Sequence, residues 1–585
     1  MKFFKAMLAA MLGSFLTILI LLCIGVLVVI GIIAASSDTT VVIPEKTILT
    51  LQFNKPIMDR TPSLPLLYQF GNPSRVVGLN DILANIKKAK EDEHIQGIYL
   101  NAESVNAGIG TIEEIRSALS GFKESGKFII AFGNNFSQAG YYLATVADEI
   151  HMNPQGLFLF KGLNAELFFI KGALEKLDVE VQIIRHGKFK SATELFSNEK
   201  MSVENREQIT RMITSIWEDL LFRIAESRDV SKESLNRIAD SLLIRTPEDA
   251  LAWKLIDELS YKDQVIDLLK TKIGLDSNQK ISLVSLEQYT HVKGEKISYK
   301  TDKIAVVYAE GEVVDGEGDE QSIGGERIAR AIRTARNDKR TKAIVLRVNS
   351  PGGSALASEI IWREVNLASQ EKPVVASFGN VAASGGYYIS CAATRIVADP
   401  TTITGSIGVW AAIPNLKGLM NNKLGVTFDY AQTNSNADFI SVTKPLSPLQ
   451  VTFLQHFVDN TYQIFTTRVA DGRRLRIGYI DSIGQGRVWS GSDALKLGLV
   501  DTLGGLDIAI RTAAELAQLS EYRITNLPVQ KDPLEQLLDE LTGNINPDLY
   551  LEEVLGDHYT YFQTLRSIQK IKGIQTRMPL EITVY

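Results

Sequence analysis

The chain has 585 residues, 45% hydrophobic and 22% charged, with 62 basic against 68 acidic side chains and a formal net charge of -6. That length implies two or more domains. The apolar content excludes a disordered chain, and the acidic balance argues against nucleic acid, whose protein partners carry a basic excess. Two cysteines, Cys23 and Cys391, are too few for a disulfide framework, and the six histidines form no H-E-x-x-H or similar pair. A metal enzyme is disfavoured, and no cofactor is expected.

The N-terminus reads as a membrane anchor over residues 1–37. No charged residue occurs between Lys5 and Asp38, a run longer than the roughly 20 residues a spanning helix needs. It is also longer than the roughly 7–15-residue core of a cleaved signal peptide. Lys2 and Lys5 precede it, so the positive-inside rule predicts a cytoplasmic N-terminus and a body, everything after Asp38, on the outer side of the membrane.

The body compares with itself. Ile86-Lys87-Lys88-Ala89 … Gly97-Ile98-Tyr99-Leu100 matches Ile332-Arg333-Thr334-Ala335 … Ala343-Ile344-Val345-Leu346. Phe132-Gly133-Asn134 … Gly140-Tyr141-Tyr142 matches Phe378-Gly379-Asn380 … Gly386-Tyr387-Tyr388 at the same offset. Lys176 to Val179 answers Lys423 to Val426, and Asp249 to Asp257 answers Asp493 to Asp501. The pattern is a tandem duplication, residues 45–290 and 300–530, joined by the polar stretch His291 to Asp302. Each copy alternates short apolar, β-branched runs with helical periodicity, the signature of an α/β domain with largely parallel pairing. In the second copy Lys342 to Val348 and Pro373 to Phe378 read as strands, and Ala355 to Ala368 and Gly386 to Ala393 as helices. Leu449 to Arg468 and, in the first copy, Val203 to Ser227 are also helical. The tail, 531–585, has no upstream counterpart and is too short for a third domain.

Chemistry lies where the copies differ. Only the second carries Ser350-Pro351-Gly352-Gly353 after its strand and Ala383-Ser384-Gly385-Gly386 before its helix; the first has Ser104 to Gly108 and Gln138 at those places. Ser384 thus stands on a strand–turn–helix junction, and side-chain-free Gly353 and Gly385 can turn N–H groups toward a substrate oxygen. A serine nucleophile needs a base, yet no histidine lies near these motifs. The first copy instead has Arg185-His186-Gly187-Lys188-Phe189-Lys190-Ser191-Ala192, where the gap-free match sets Ala437 opposite Lys190. Complementary losses point to one site drawing on both halves. Lys188 and Lys190 are both candidate bases, since a two-residue spacing puts them on one side of a strand. A free lysine amine has a pKa of about 10.4; burial lowers it by up to about 3–5, so a dry pocket is required.

With these motifs the chain resembles the long, duplicated form of the signal peptide peptidase A (protease IV) family of bacterial envelopes. The resemblance covers nearly the whole chain and rests on Asn349 to Ser354, Ala383 to Tyr387 and Thr404-Gly405-Ser406-Ile407-Gly408. It implies a crotonase/Clp-protease-like α/β fold in tandem and a serine endopeptidase with a Ser–Lys dyad. Ser384 would be the nucleophile and Lys190 the base, Gly353 and Gly385 the oxyanion donors, and Ser406 the residue orienting the amine. It further implies hydrophobic peptides such as cleaved signal peptides as substrates, and a homotetramer. Thr193-Glu194-Leu195-Phe196 departs from the family, whose long-form members tend to have proline before the phenylalanine.

Three other readings compete. Crotonase-type folds also process acyl-CoA thioesters, but an exported body has no CoA supply. A catalytically silent membrane scaffold could bind hydrophobic peptides. A Ser–His–Asp arrangement through His186 is the third.

Overall fold

The computed structural model describes residues 2–37, 42–61, 76–292, 302–530 and 575–578. Lys2–Ser37 is one helix, about 54 Å long at 1.5 Å per residue. Its segment Phe3–Leu21 has a mean hydropathy of 2.1 and is long and apolar enough to cross a membrane.

Two sheets carry the body, and they repeat each other. In the first copy the order is Glu258–Leu259, Glu149–Met152, Phe128–Gly133, Ile95–Asn101, Thr47–Gln52, Ser282–Ser285, parallel throughout. In the second, Thr502–Leu503, Arg395–Ala398, Val374–Ala383, Thr341–Ser350, Lys303–Glu310 and Arg523–Leu527 follow the same order, again parallel. Helices cover these sheets, so strands such as Lys303–Glu310 are buried along nearly their whole length, as parallel strands in α/β proteins usually are. The second copy adds Ile403–Gly405 beside the far end of Val374–Ala383, and Val488–Ser490 pairs antiparallel with that addition.

The expected helices form with identifiable starts. Val203–Arg228 begins after Ser202, whose hydroxyl accepts the Asn205 N–H; Pro448–Arg473 begins with a Ser447–Gln450 capping box and proline in its first turn. The expected Gly386 to Ala393 helix is shorter, Gly385–Ser390.

The copies are locked together by polar contacts. Arg347 of the second copy bonds Asp59 at 2.7 Å and Glu114 at 2.6 Å, all three buried. Asn380 takes the Thr111 N–H at 2.9 Å, and helix Val203–Arg228 lies on the second copy through Ser215–Ser490 and Arg211–Asp493.

A third sheet mixes segments from three parts of the chain. Its order is Ser322–Gly324, Glu312–Val314, Gly352–Ser354, Gln575–Arg577, Val409–Asn415, Glu180–His186. The last is a first-copy strand lying antiparallel on a second-copy strand, Val409 opposite His186. Most of the tail, 531–574 and 579–585, lies outside the described residues, but its segment Gln575–Arg577 is a strand of this sheet.

Candidate active site

The crossed strand positions Lys190. Glu180–His186 runs along Val409–Asn415 and ends at Gly187, whose φ of +101° turns the chain into the second copy. There Phe189 N–H bonds Gln485 O at 3.0 Å. Gly486 packs so closely that a Cβ on it would stand 2.6 Å from Lys190 Cα, which only glycine tolerates. Gln208 reinforces the junction: its amide nitrogen bonds Phe189 O at 3.0 Å and Ser191 Oγ at 2.9 Å, and its oxygen accepts the Val488 N–H.

Lys190 is fully buried. Its Nζ lies 2.8 Å from Ser384 Oγ, 3.1 Å from Ser406 Oγ and 3.1 Å from Ser406 O. Burial alone holds the amine well below its ordinary pKa: desolvation penalises the charged form, and the oxygens around it are uncharged.

Ser384 sits at φ +56°, ψ -113°, a costly backbone for a residue with a side chain. It is fixed on both sides: its N–H bonds Gly405 O at 2.8 Å and its carbonyl accepts the Tyr388 N–H at 2.8 Å. The Pro351-Gly352-Gly353 turn lies alongside. A Cβ on Gly352 would stand 3.0 Å from Ser384 Cβ, 2.6 Å from Gly385 N and 2.1 Å from the Thr576 carbonyl oxygen. Gly353 and Gly385 are the expected open positions, but a Cβ on Gly353 would strike Val313 O at 2.0 Å and one on Gly385 would meet Ser358 Oγ at 2.8 Å. Gly352 is the residue whose bare Cα leaves room beside the serine.

Of the expected residues, Lys190, Ser384 and Ser406 therefore meet, Gly385 follows the serine, and Gly353 lies next to Gly352 in the turn beside it. Lys188 does not join them. The strand stops at His186, before either lysine, so their spacing does not put them on one face. Lys188 is exposed, its amine 5.1 Å from the Phe189 ring. His186 bonds Asp459 at 2.7 Å and stacks on Tyr462; among the described contacts none joins it to Ser384. Cys391 is buried, its thiol pushed up to about 12 by burial, and is no candidate nucleophile. In the first copy Gln138, opposite Ser384, spends its side-chain oxygen on the N–H groups of Lys161 and Gly162. In the run Thr193 to Phe196, which departs from the family pattern, Leu195 stands before Phe196 and is buried against Trp410 and Ala412, while Glu194 takes Ser202 and Asn205 as partners. Among the described residues no group of three His, Cys, Asp or Glu side chains is arranged to hold a metal ion.

Residues 121–276 and 366–520, one stretch in each copy, match the pattern of Peptidase family S49. Protease 4 of Salmonella typhi is 38% identical over 481 residues, covering 80% of this chain and 76% of that relative. Protease 4 of Haemophilus influenzae is 36% identical over 518 residues, 86% of this chain and 80% of the relative. The chloroplastic serine protease SPPA of Arabidopsis thaliana is 32% identical over 509 residues, 86% of this chain and 74% of the relative.

Proposed function

The chain belongs to Peptidase family S49 and is a serine-type peptidase, and from that premise we propose that Ser384 is its nucleophile and Lys190 its general base. The observation that carries this reading is the 2.8 Å separation of Nζ and Oγ inside a pocket where burial holds the amine well below its ordinary pKa and so favours its uncharged form. A neutral amine can take the serine proton, as a general base must. Ser384 Oγ then attacks the peptide carbonyl, and the oxyanion is received by the N–H groups of Gly353 and Gly385. Donors of that kind are worth about 2.7–4 kcal/mol each. Lys190 passes its proton to the leaving amine, and water resolves the ester by the reverse transfers. Ser406 orients the amine without a charge; a carboxylate there would favour the ammonium and remove the base.

The substrates in this reading are extended hydrophobic peptides such as cleaved signal peptides. The Lys2–Ser37 helix anchors the chain with its N-terminus in the cytoplasm and its body outside the inner membrane, and the working form is a homotetramer. An intact Ser384–Lys190 pair speaks against the silent-scaffold alternative. A fluorophosphonate probe tests the core claim: labelling of wild type and not of Ser384→Ala is expected, and absence of labelling in wild type would sink it.

A further inference from the structure

Two residues of helix Pro448–Arg473 meet the end of the strand that leads to Lys190. Asp459 accepts the Nδ1–H of His186 at 2.7 Å, and the His186 ring stacks on Tyr462 with centroids 3.9 Å apart. Tyr462 is buried. Its O–H donates to Asp481 Oδ1 at 2.7 Å, and its oxygen accepts the Gln485 N–H at 3.2 Å. Burial, with the hydrogen bond to Asp481 beside it, pushes the hydroxyl pKa up, so Tyr462 stays a phenol and moves no proton. Giving its hydrogen to a carboxylate makes the phenol oxygen a better acceptor.

Gln485 begins a short loop that touches both groups facing Ser384. Its carbonyl takes the N–H of Phe189, the residue before Lys190, at 3.0 Å. Gly486 N–H bonds Ile407 O at 2.7 Å, and Arg487 O takes the Ser406 N–H at 2.7 Å. The base and the serine that orients it thus hang on three consecutive residues. The loop does not hold this shape by preference: Gln485 lies at φ +51°, a strained conformation for a residue with a side chain, which persists where surrounding contacts enforce it. Tyr462 supplies the acceptor for the N–H of that residue.

The first copy shows what Tyr462 adds. Helices Val203–Arg228 and Pro448–Arg473 each have 26 residues and end at a left-handed cap, and the next helices, Lys232–Ser241 and Ile477–Ile483, begin at the same offset. Trp217 therefore stands where Tyr462 does, and Asn236 where Asp481 does. That pair is bonded too, Trp217 Nε1–H to Asn236 Oδ1 at 2.7 Å. An indole N–H donates and accepts nothing. The copy that lacks the serine keeps the donor half of the arrangement and lacks the acceptor half that grips the loop.

We propose that Tyr462 is a positioning residue for the base: its hydroxyl, aimed by Asp481 and braced by the His186–Asp459 pair, fixes the loop that sets Lys190 and Ser406 against Ser384. The proposal rests on the Ser384–Lys190 reading. Position is what it protects, since a misplacement of about 1 Å can cost about 10²-fold in rate.

The test is steady-state kinetics on a peptide across a range of pH, run well below the melting midpoint of each full-length variant. Tyr462→Phe keeps the ring and its stack and removes the hydroxyl. It is expected to lower kcat by roughly tenfold or more, with KM within about twofold. The described contacts of the amine are with uncharged oxygens, so a looser enclosure lets it titrate nearer its ordinary value and moves the rising limb of kcat to higher pH. A hydroxyl that only packed the core would leave that limb in place. The brace is read at a second position: Asp459→Asn, which keeps an oxygen for His186, is expected to stay near wild type, and Asp459→Leu to show a smaller fall of the same kind. An equal fall in both removes the brace. Wild-type kcat and an unmoved limb in Tyr462→Phe, with Ser384→Ala and Lys190→Ala inactive, overturn this proposal and leave the peptidase reading standing. Full activity in Lys190→Ala overturns both.

Discussion

Lys190 and Ser384 stand 194 residues apart in sequence, in different copies, and meet at 2.8 Å because a first-copy strand pairs with a second-copy strand. The proposed base is thus held by tertiary structure. Lys190→Ala is expected to lower kcat on a peptide substrate by about 10²–10⁴-fold, the usual worth of a general base, with little change in KM. Lys188→Ala, an exposed change, is expected to stay within about twofold. Steady-state kinetics on the two variants checks the assignment, and equal loss in both would contradict it.

The pH profile follows from the same burial. Only the neutral amine serves as base, so kcat should rise with pH through the depressed Lys190 value and level off well below the pKa of about 10.4 of a free lysine. Placing a carboxylate beside the amine reverses the effect of desolvation. Ser406→Asp is expected to move the rising limb to higher pH, because an opposite charge favours the ammonium. An unmoved limb in a folded variant would separate the titration from Lys190.

The repeat was legible because each copy spells out the same buried strands, and a parallel sheet covered on both faces shows in sequence as apolar runs. Ser384 was legible because the turn that lifts it needs glycines the other copy lacks. The route of Lys190 was not. A gap-free match sets it opposite Ala437, which lies in an exposed turn, and nothing local indicates that Glu180–His186 pairs with Val409–Asn415. Lys188 and Lys190 looked alike because strand periodicity was extended past Gly187, where the backbone turns. The strand Gln575–Arg577 gave no signal either: three polar residues become a strand only where two facing edges await a partner.

Gly352 offers a sharper test of the site than the serine does. A methyl group there would overlap the space shared by the Thr576 carbonyl oxygen and Gly385 N, and the φ of +98° adds backbone strain. Gly352→Ala is expected to abolish peptide hydrolysis while leaving the Lys190–Ser384 contact in place. Substrate turnover and a crystal structure of the variant check it together: full turnover would place the substrate carbonyl elsewhere.

Arg347 carries the last prediction. Burial by itself would lower its guanidinium, but the charges of Asp59 and Glu114 outweigh that and hold it above the ordinary value. Burial pushes the Glu114 carboxyl up, and Arg347 is the chief influence opposing that rise. Arg347→Met leaves two buried carboxyl groups without their cation, a loss on the order of 3–5 kcal/mol. The folded-state pKa of Glu114 then climbs further, so the folded chain binds a proton that the unfolded chain releases at about pH 4.3. Stability contributed by that proton is full below about pH 4.3 and is lost as pH rises through the elevated value. Denaturant melts of Arg347→Met should therefore show a deficit that grows from acid toward neutral pH. Adding Glu114→Gln should recover part of it at neutral pH and flatten the trend. A deficit independent of pH would mean that lost packing between the copies, and not the unpaired charge, is what Arg347 prevents.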